Sequence, residues 1–252
     1  MQDIFVDDKG KGTPLVLVHG FLGSSDMWLP QVKFFKTNFR VIAPALPGFG
    51  KSSMVNSCDS IECMAKAILK SLELKEIGKF NLLGHSMGGM IVQEMAKLEG
   101  EKILKLICYG TGPRGNIPGR FETIDQSQEK LKNDGIEGTT DRIAKTWFIE
   151  KEKAKYFYLC KEAGKQTSMV AAQQGLIAMK NWNGINNLKY IKNKTLIIWG
   201  DQDKAYNYNQ VETLSNNIPN SELKIFEGCS HNVHLEKPDK FNIVVEEFLN
   251  II

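Results

Sequence analysis

The chain lacks most of the features that announce a function on their own. No stretch approaches the ~20 consecutive apolar residues needed to cross a bilayer, and the acidic start MQDIFVDDKGKG has neither the basic opening nor the apolar run of a secretory leader. Acids and bases nearly balance, leaving a net charge of +3, and no dense basic block or interleaved aromatic stripe offers a surface for nucleic acid. The five cysteines, Cys58, Cys63, Cys108, Cys160 and Cys229, are odd in number and lack the C-x-x-C spacing of a zinc or redox site. Internal repeats and low-complexity tracts are absent too. Together these absences argue against membrane spans, nucleic-acid partners and zinc centres, and they favour a soluble, cytoplasmic protein in a reducing compartment.

What is present is enough apolar material, 42% of 252 residues, for one sizeable core, or a core plus a subdomain. Short apolar runs alternate with helix-like segments. A first strand over 4–6 is followed by Pro14-Leu15-Val16-Leu17-Val18, apolar on both faces as strands in the middle of a parallel sheet are. Next come a small-residue loop, a helix over 26–36 with Asp26 as its cap, a strand over 39–45 and a Gly/Pro-rich loop. Ser60 caps a helix to about residue 74, and strands follow over 80–85, 103–109, 195–199 and 222–227, with helices between them and a last one opening on Pro238. The pattern predicts an α/β fold: a mostly parallel central sheet with helices on both faces, with ligands at the carboxyl ends of its strands. Residues 113–190 break the alternation. They hold no good strand and read as helices interrupted at Asp134-Gly135, Gly138 and Gly164, an insertion between two parts of one core, 1–112 and 191–252.

The strand over 80–85 runs directly into an apolar helix with a serine at the junction, in Gly84-His85-Ser86-Met87-Gly88. In this G-x-S-x-G pattern the strand turns so sharply that the central residue is strained and only small neighbours fit. The turn lifts the Ser86 hydroxyl clear of the backbone and aims the first amides of the helix at whatever that oxygen attacks. A serine hydroxyl is a poor nucleophile at neutral pH, so it needs a base, oriented in turn by a third group. Of the four histidines, His19 precedes the first loop and His85 faces away from its neighbour Ser86, so both read as structural. His231 and His234 follow the last strand, and His231 is the better base because it stands at the strand's mouth rather than under the next helix. Asp201 and Asp203 both follow a strand at the same sheet edge, and position alone leaves both as candidates for the orienting acid.

The order serine, acid, histidine with G-x-S-x-G after a strand resembles the α/β-hydrolase fold family, and the likeness extends over essentially the whole chain. His19-Gly20 and its loop, LPGFGKS, GHSMGG, GDQD and GCSHNVHLEKPDKF look like that family's successive loops. The resemblance implies Ser86 as nucleophile, Asp203 as acid, His231 as base, the backbone N–H groups of Phe21 and Met87 as oxyanion donors, and a helical cap over 113–190. It implies no metal or organic cofactor, and a small, fairly apolar ester or lactone as substrate. Carbon–carbon bond hydrolases of ring-cleavage products and cofactor-free haloperoxidases share the motifs, and a ligand-binding receptor on the same fold is a remote alternative. Arg114, Arg120 and Arg142 are available in the cap to hold a carboxylate. Nothing in the residues sets an oligomeric state. Two positions depart from the family: Ala45 stands where an aspartate is common, and Lys204-Ala205-Tyr206-Asn207 follows the acid where a proline is common.

Overall fold

A computed structural model describes residues 2–250. Among the described residues seven strands form a single sheet in the order β1-β3-β2-β4-β5-β6-β7. They are β1 (Val6–Lys9), β2 (Thr13–Val18), β3 (Phe39–Pro44), β4 (Phe80–His85), β5 (Ile103–Tyr109), β6 (Lys194–Gly200) and β7 (Ser221–Phe226). Of these strands only β1 runs antiparallel, against β3. The expected parallel sheet is therefore present, with one antiparallel strand at its edge.

The two-sided apolar strands explain the layers. Successive side chains alternate across a strand, so Val16 and Val18 enter one core, with residues of α2 (Ile61–Leu74) and α3 (Met87–Glu99). Leu15 and Leu17 enter the other, with Trp28, Phe35 of α1 (Leu29–Phe35), and Phe241, Val245 and Phe248 of α9 (Pro238–Asn250). Helices thus cover both faces. Local signals set several boundaries. Ser60 Oγ accepts from the Cys63 amide at 3.2 Å and starts α2, and Pro238 opens α9. Near residue 26 the cap is Ser24, whose side chain accepts from the Asp26 amide; a 3-10 turn over Ser25–Trp28 then leads into α1.

Between β5 and β6 lie α4 (Ile124–Ala144), α5 (Phe157–Lys165) and α6 (Met169–Asn181), with no strand among them. Thr123 and Gln126 form a reciprocal capping box at the start of α4. Of the three expected interruptions only Gly135 leaves helical geometry, at φ 66°. Gly138 and Gly164 stay inside α4 and α5. Gly164 is there for packing: a Cβ at that position would run into the Thr140 side chain, so its absence lets α5 approach α4 closely.

The cysteines divide in a way their number did not suggest. Cys58 and Cys63 are joined by a disulfide, their Cα atoms 5.7 Å apart, because the chain reverses at the Ser60 cap and returns Cys63 on the first turn of α2. Cys108, Cys160 and Cys229 are free and buried. Among the described residues, no helix is long and apolar enough to cross a membrane.

Candidate active site

Ser86 sits between β4 and α3 with φ 59° and ψ −121°, a region that a side chain occupies only when its surroundings hold it there. Three hydrogen bonds do so. The Ser86 amide donates to Tyr109 O at 2.9 Å, and Ser86 O accepts from the Gly89 amide at 2.9 Å and from Thr111 Oγ1 at 2.8 Å. The flanking glycines are required by contact: a Cβ on Gly84 would meet the Gly88 carbonyl, and one on Gly88 would meet the carbonyls of Val18 and His19.

The loop after β2 lies directly against this elbow. A Cβ on Gly20 would stand 2.8 Å from Ser86 Cβ. His19 ties the loop down: its Nδ1 lies 2.9 Å from Gly20 O, and its Nε2 accepts from the Leu46 amide at 3.0 Å. That acceptance places the ring proton on Nδ1. Burial lowers the His19 pKa to about 4, so the ring is neutral in this position. Phe21 follows in the loop and Met87 opens α3. Among the described residues neither backbone N–H has a hydrogen-bond acceptor. The Met87 amide thus stands at a helix N-terminus next to the serine, and the Phe21 amide belongs to the loop whose Gly20 packs against Ser86.

From the far end of the sheet come the acid and the base. His231 Nδ1 and Asp203 Oδ2 are 2.8 Å apart, with side chains 2% and 0% exposed. Asp203 Oδ1 accepts from the amides of Ala205 at 2.7 Å and Tyr206 at 3.1 Å, so every visible bond to this carboxylate is one that an anion accepts. Asp201 is engaged elsewhere, accepting from the Gly228 amide at 2.8 Å at the surface. The structure therefore brings Asp203, and not Asp201, to His231.

Behind His231 is a network of buried aromatic rings. The His231 carbonyl accepts from Tyr109 Oη at 2.9 Å and is 3.2 Å from His85 Nε2. The His85 and His231 rings are 4.5 Å apart. His234 is wholly buried, with Nδ1 3.0 Å from Tyr109 Oη; burial first, then the neighbouring His231, lowers its pKa to about 3. His85 and His234 thus back the site rather than enter it, as their sequence positions suggested.

Ser86 Oγ makes no hydrogen bond to His231 in this structure. Beside His231 lies Tyr206, which sequence reasoning did not single out. Its ring stacks on His231 at 5.8 Å with 14° between planes. Burial pushes its phenol up to about 12, against the pull of the Arg120 charge and of hydrogen bonding with Ser86 and Thr111. The available signal was the unusual Lys204-Ala205-Tyr206-Asn207 after the acid. Among the described residues, no three His, Cys, Asp or Glu side chains are grouped to hold a metal ion.

Residues 13–238 match the family described as alpha/beta hydrolase fold. The chain belongs to the α/β-hydrolase fold family. A pimeloyl-(acyl-carrier protein) methyl ester esterase of Legionella pneumophila (strain Corby) is 27% identical over 252 residues, covering 98% of this chain and 100% of the relative. The monoacylglycerol lipase ABHD6 of Bos taurus is 26% identical over 264 residues, covering 95% of this chain and 76% of the relative. The solved enol-lactonase of Burkholderia xenovorans superposes with a TM-score of 0.89 at 21% identity, covering 98% of this chain and 96% of that one. At that identity the likeness speaks for the α/β-hydrolase fold alone.

Proposed function

We propose that the chain is a serine hydrolase that cleaves a small carboxylic ester or lactone through an acyl-enzyme. The observation that carries this reading is the buried His231–Asp203 pair at 2.8 Å, set beside a serine held at φ 59° on the elbow between β4 and α3. In the reaction the Ser86 hydroxyl attacks the substrate carbonyl while His231 Nε2 takes its proton. Asp203 holds the Nδ1 proton and offsets the charge of the imidazolium that forms. The free amides of Phe21 and Met87 receive the developing oxyanion. His231 then gives its proton to the leaving alkoxide, and the acyl group stays on Ser86 Oγ. A water, deprotonated by the same imidazole, attacks this ester, and collapse of the second tetrahedral intermediate returns the proton to Ser86.

Residues 113–190 act in this reading as a cap over the strand ends. Its support is the insertion's contact with the site's own loops: the Ser168 amide donates to Gly48 O at 3.0 Å, the Asn232 amide to Trp147 O at 3.0 Å, and the Trp147 ring lies 6.1 Å from His231. Both curated relatives described above carry the names of ester-cleaving enzymes, which favours an ester as the substrate class. The test is a panel of short-chain esters and lactones with the wild type and Ser86→Ala. Cleavage of at least one class by the wild type, lost in the variant, is the expected result. Equal turnover by both proteins would falsify the assignment.

A further inference from the structure

Two half-buried arginines, Arg114 and Arg120, have no carboxylate partner among the described residues, and they differ in place: Arg114 lies on the bridge to Asn183, whereas Arg120 lies against the loop that carries Asp203. Arg40 is bound to Asp8 through two contacts of 3.0 and 2.8 Å, and Arg142 to Glu122 at 2.6 Å. Arg120 is half-buried, yet among the described residues no carboxylate lies within ion-pair distance of it; its guanidinium carbon lies 5.3 Å from the Phe121 ring. The carboxylates whose charge reaches it, Glu122 and Asp203, are already committed. Glu122 accepts from Ser127, Lys130 and Arg142, and Asp203 from the Ala205 and Tyr206 amides while it holds His231.

Its place in the fold is set by backbone contacts. The 117–121 stretch is strapped to the loop that carries the acid: the Phe121 amide donates to Lys204 O at 3.2 Å, and Asn207 Nδ2 donates to Pro118 O at 2.9 Å. Arg120 is thereby held beside Tyr206, the same side chain that stacks on His231 and adjoins the Ser86 hydroxyl. Burial lowers the Arg120 pKa, partly offset by the fields of Tyr206, Glu122 and Asp203, which marks a guanidinium desolvated without a bonded anion of its own.

We infer that Arg120 is a binding residue for a carboxylate on the substrate, so that the ester or lactone cleaved at Ser86 carries a second, free carboxylate within reach of the acid loop. This rests on the serine-hydrolase reading above and adds a substrate class to it. A guanidinium offers a planar fork of donors matched to a carboxylate, and such charge-assisted pairs are among the stronger contacts a site can make. A half-buried fork with no internal partner is the complement of an anionic ligand group.

The test compares matched esters with and without the charge: monomethyl glutarate against methyl pentanoate for a carboxylate on the acyl side, and 3-acetoxypropanoate against propyl acetate for one on the alcohol side. The wild type is expected to prefer the charged member of one pair by about ten-fold or more in kcat/KM. Arg120→Gln is expected to lose most of that ratio, Arg120→Lys part of it, and Arg114→Gln none. Glutarate alone is expected to raise the Tm of the wild type and not of Arg120→Gln. A wild type indifferent to the charge in both pairs, or a ratio that survives Arg120→Gln, overturns the inference. If no ester is cleaved, or Ser86→Ala cleaves as well as the wild type, it is the hydrolase reading that fails. Glutarate then decides Arg120: a rise in Tm confined to proteins that keep the arginine supports the anion site, and no rise, or an equal rise in Arg120→Gln, overturns it.

Discussion

Replacing Asp203 by asparagine tests how the acid works, because the structure dictates what the amide must do. Oδ1 of Asp203 accepts from two backbone amides, at 2.7 and 3.1 Å. An asparagine has to keep its carbonyl oxygen there, since an NH2 group facing two N–H donors would be left unpaired and buried. The NH2 group then points at His231 Nδ1, where the carboxylate oxygen now lies at 2.8 Å. It can only donate, so Nδ1 must accept and the ring proton moves to Nε2, the nitrogen that has to take the proton from Ser86. A wrong tautomer of this kind lowers turnover by about 10⁴ in a serine protease triad, equivalent to about 5 kcal/mol of transition-state stabilisation. Steady-state hydrolysis of a chromogenic short-chain ester should therefore show Asp203→Asn down by about 10³ to 10⁴ in kcat, with KM moved only a few-fold. Asp201→Asn keeps an amide oxygen able to accept from the Gly228 amide at the surface and should stay within about ten-fold of wild type. An Asp203→Asn enzyme within ten-fold of wild type, or an Asp201→Asn enzyme equally impaired, would refute the reasoning.

Other consequences can be measured on stability. Gly88→Ala drives a Cβ into the Val18 and His19 carbonyls, backbone that cannot yield, and should cost at least about 2 kcal/mol in urea unfolding; a neutral substitution would contradict the packing of the elbow. His19 and His234 have pKa values of about 4 and about 3, against an ordinary 6.5. The unfolded chain therefore binds protons that the folded one refuses, and the stability these neutral rings confer is complete above pH 6.5 and lost as pH falls toward 4. At about 1.4 kcal/mol per pH unit for each ring, the two together should lower the unfolding free energy by about 4 kcal/mol between pH 7 and pH 5; a flat profile over that range would count against their buried neutral state. Glu122→Ala leaves Arg142 and Lys130 without their shared carboxylate and should cost about 3 kcal/mol, with faster proteolysis in the 113–190 region; unchanged cleavage would mean that this cluster does not hold the insertion together.

Much of this architecture is legible in the chain because burial leaves a local record. Strands apolar on both faces, such as Leu15 to Val18, can only be central, and glycines two residues either side of Ser86 can only mark a turn too tight for side chains. The Ser60 cap of α2 and the proline that opens α9 are local too. What local pattern does not carry is the pairing of distant residues. Asp201 and Asp203 look alike in sequence; they separate only when the loop closes, with the Asp203 amide bonded to Gly200 O at 3.0 Å and the two carboxylates turned apart. Tyr109 at the end of β5 supports the His231 carbonyl in the loop after β7, across 122 residues, and no spacing rule foretells it. Gly138 and Gly164 read as helix breakers, yet both lie in helices, Gly164 because Thr140 needs its side-chain space. The Cys58–Cys63 bridge likewise depends on a chain reversal that an odd cysteine count conceals.

The central claim is that Ser86 is a nucleophile activated by His231 and Asp203. Labelling with a serine-directed phosphonate, followed by peptide mapping, tests it most directly, because it reads the nucleophile without requiring the natural substrate. The account predicts one modified residue, Ser86, with labelling abolished in Ser86→Ala and strongly slowed in His231→Ala. Label on another residue, or a rate of Ser86 modification that does not change when His231 is removed, would contradict it.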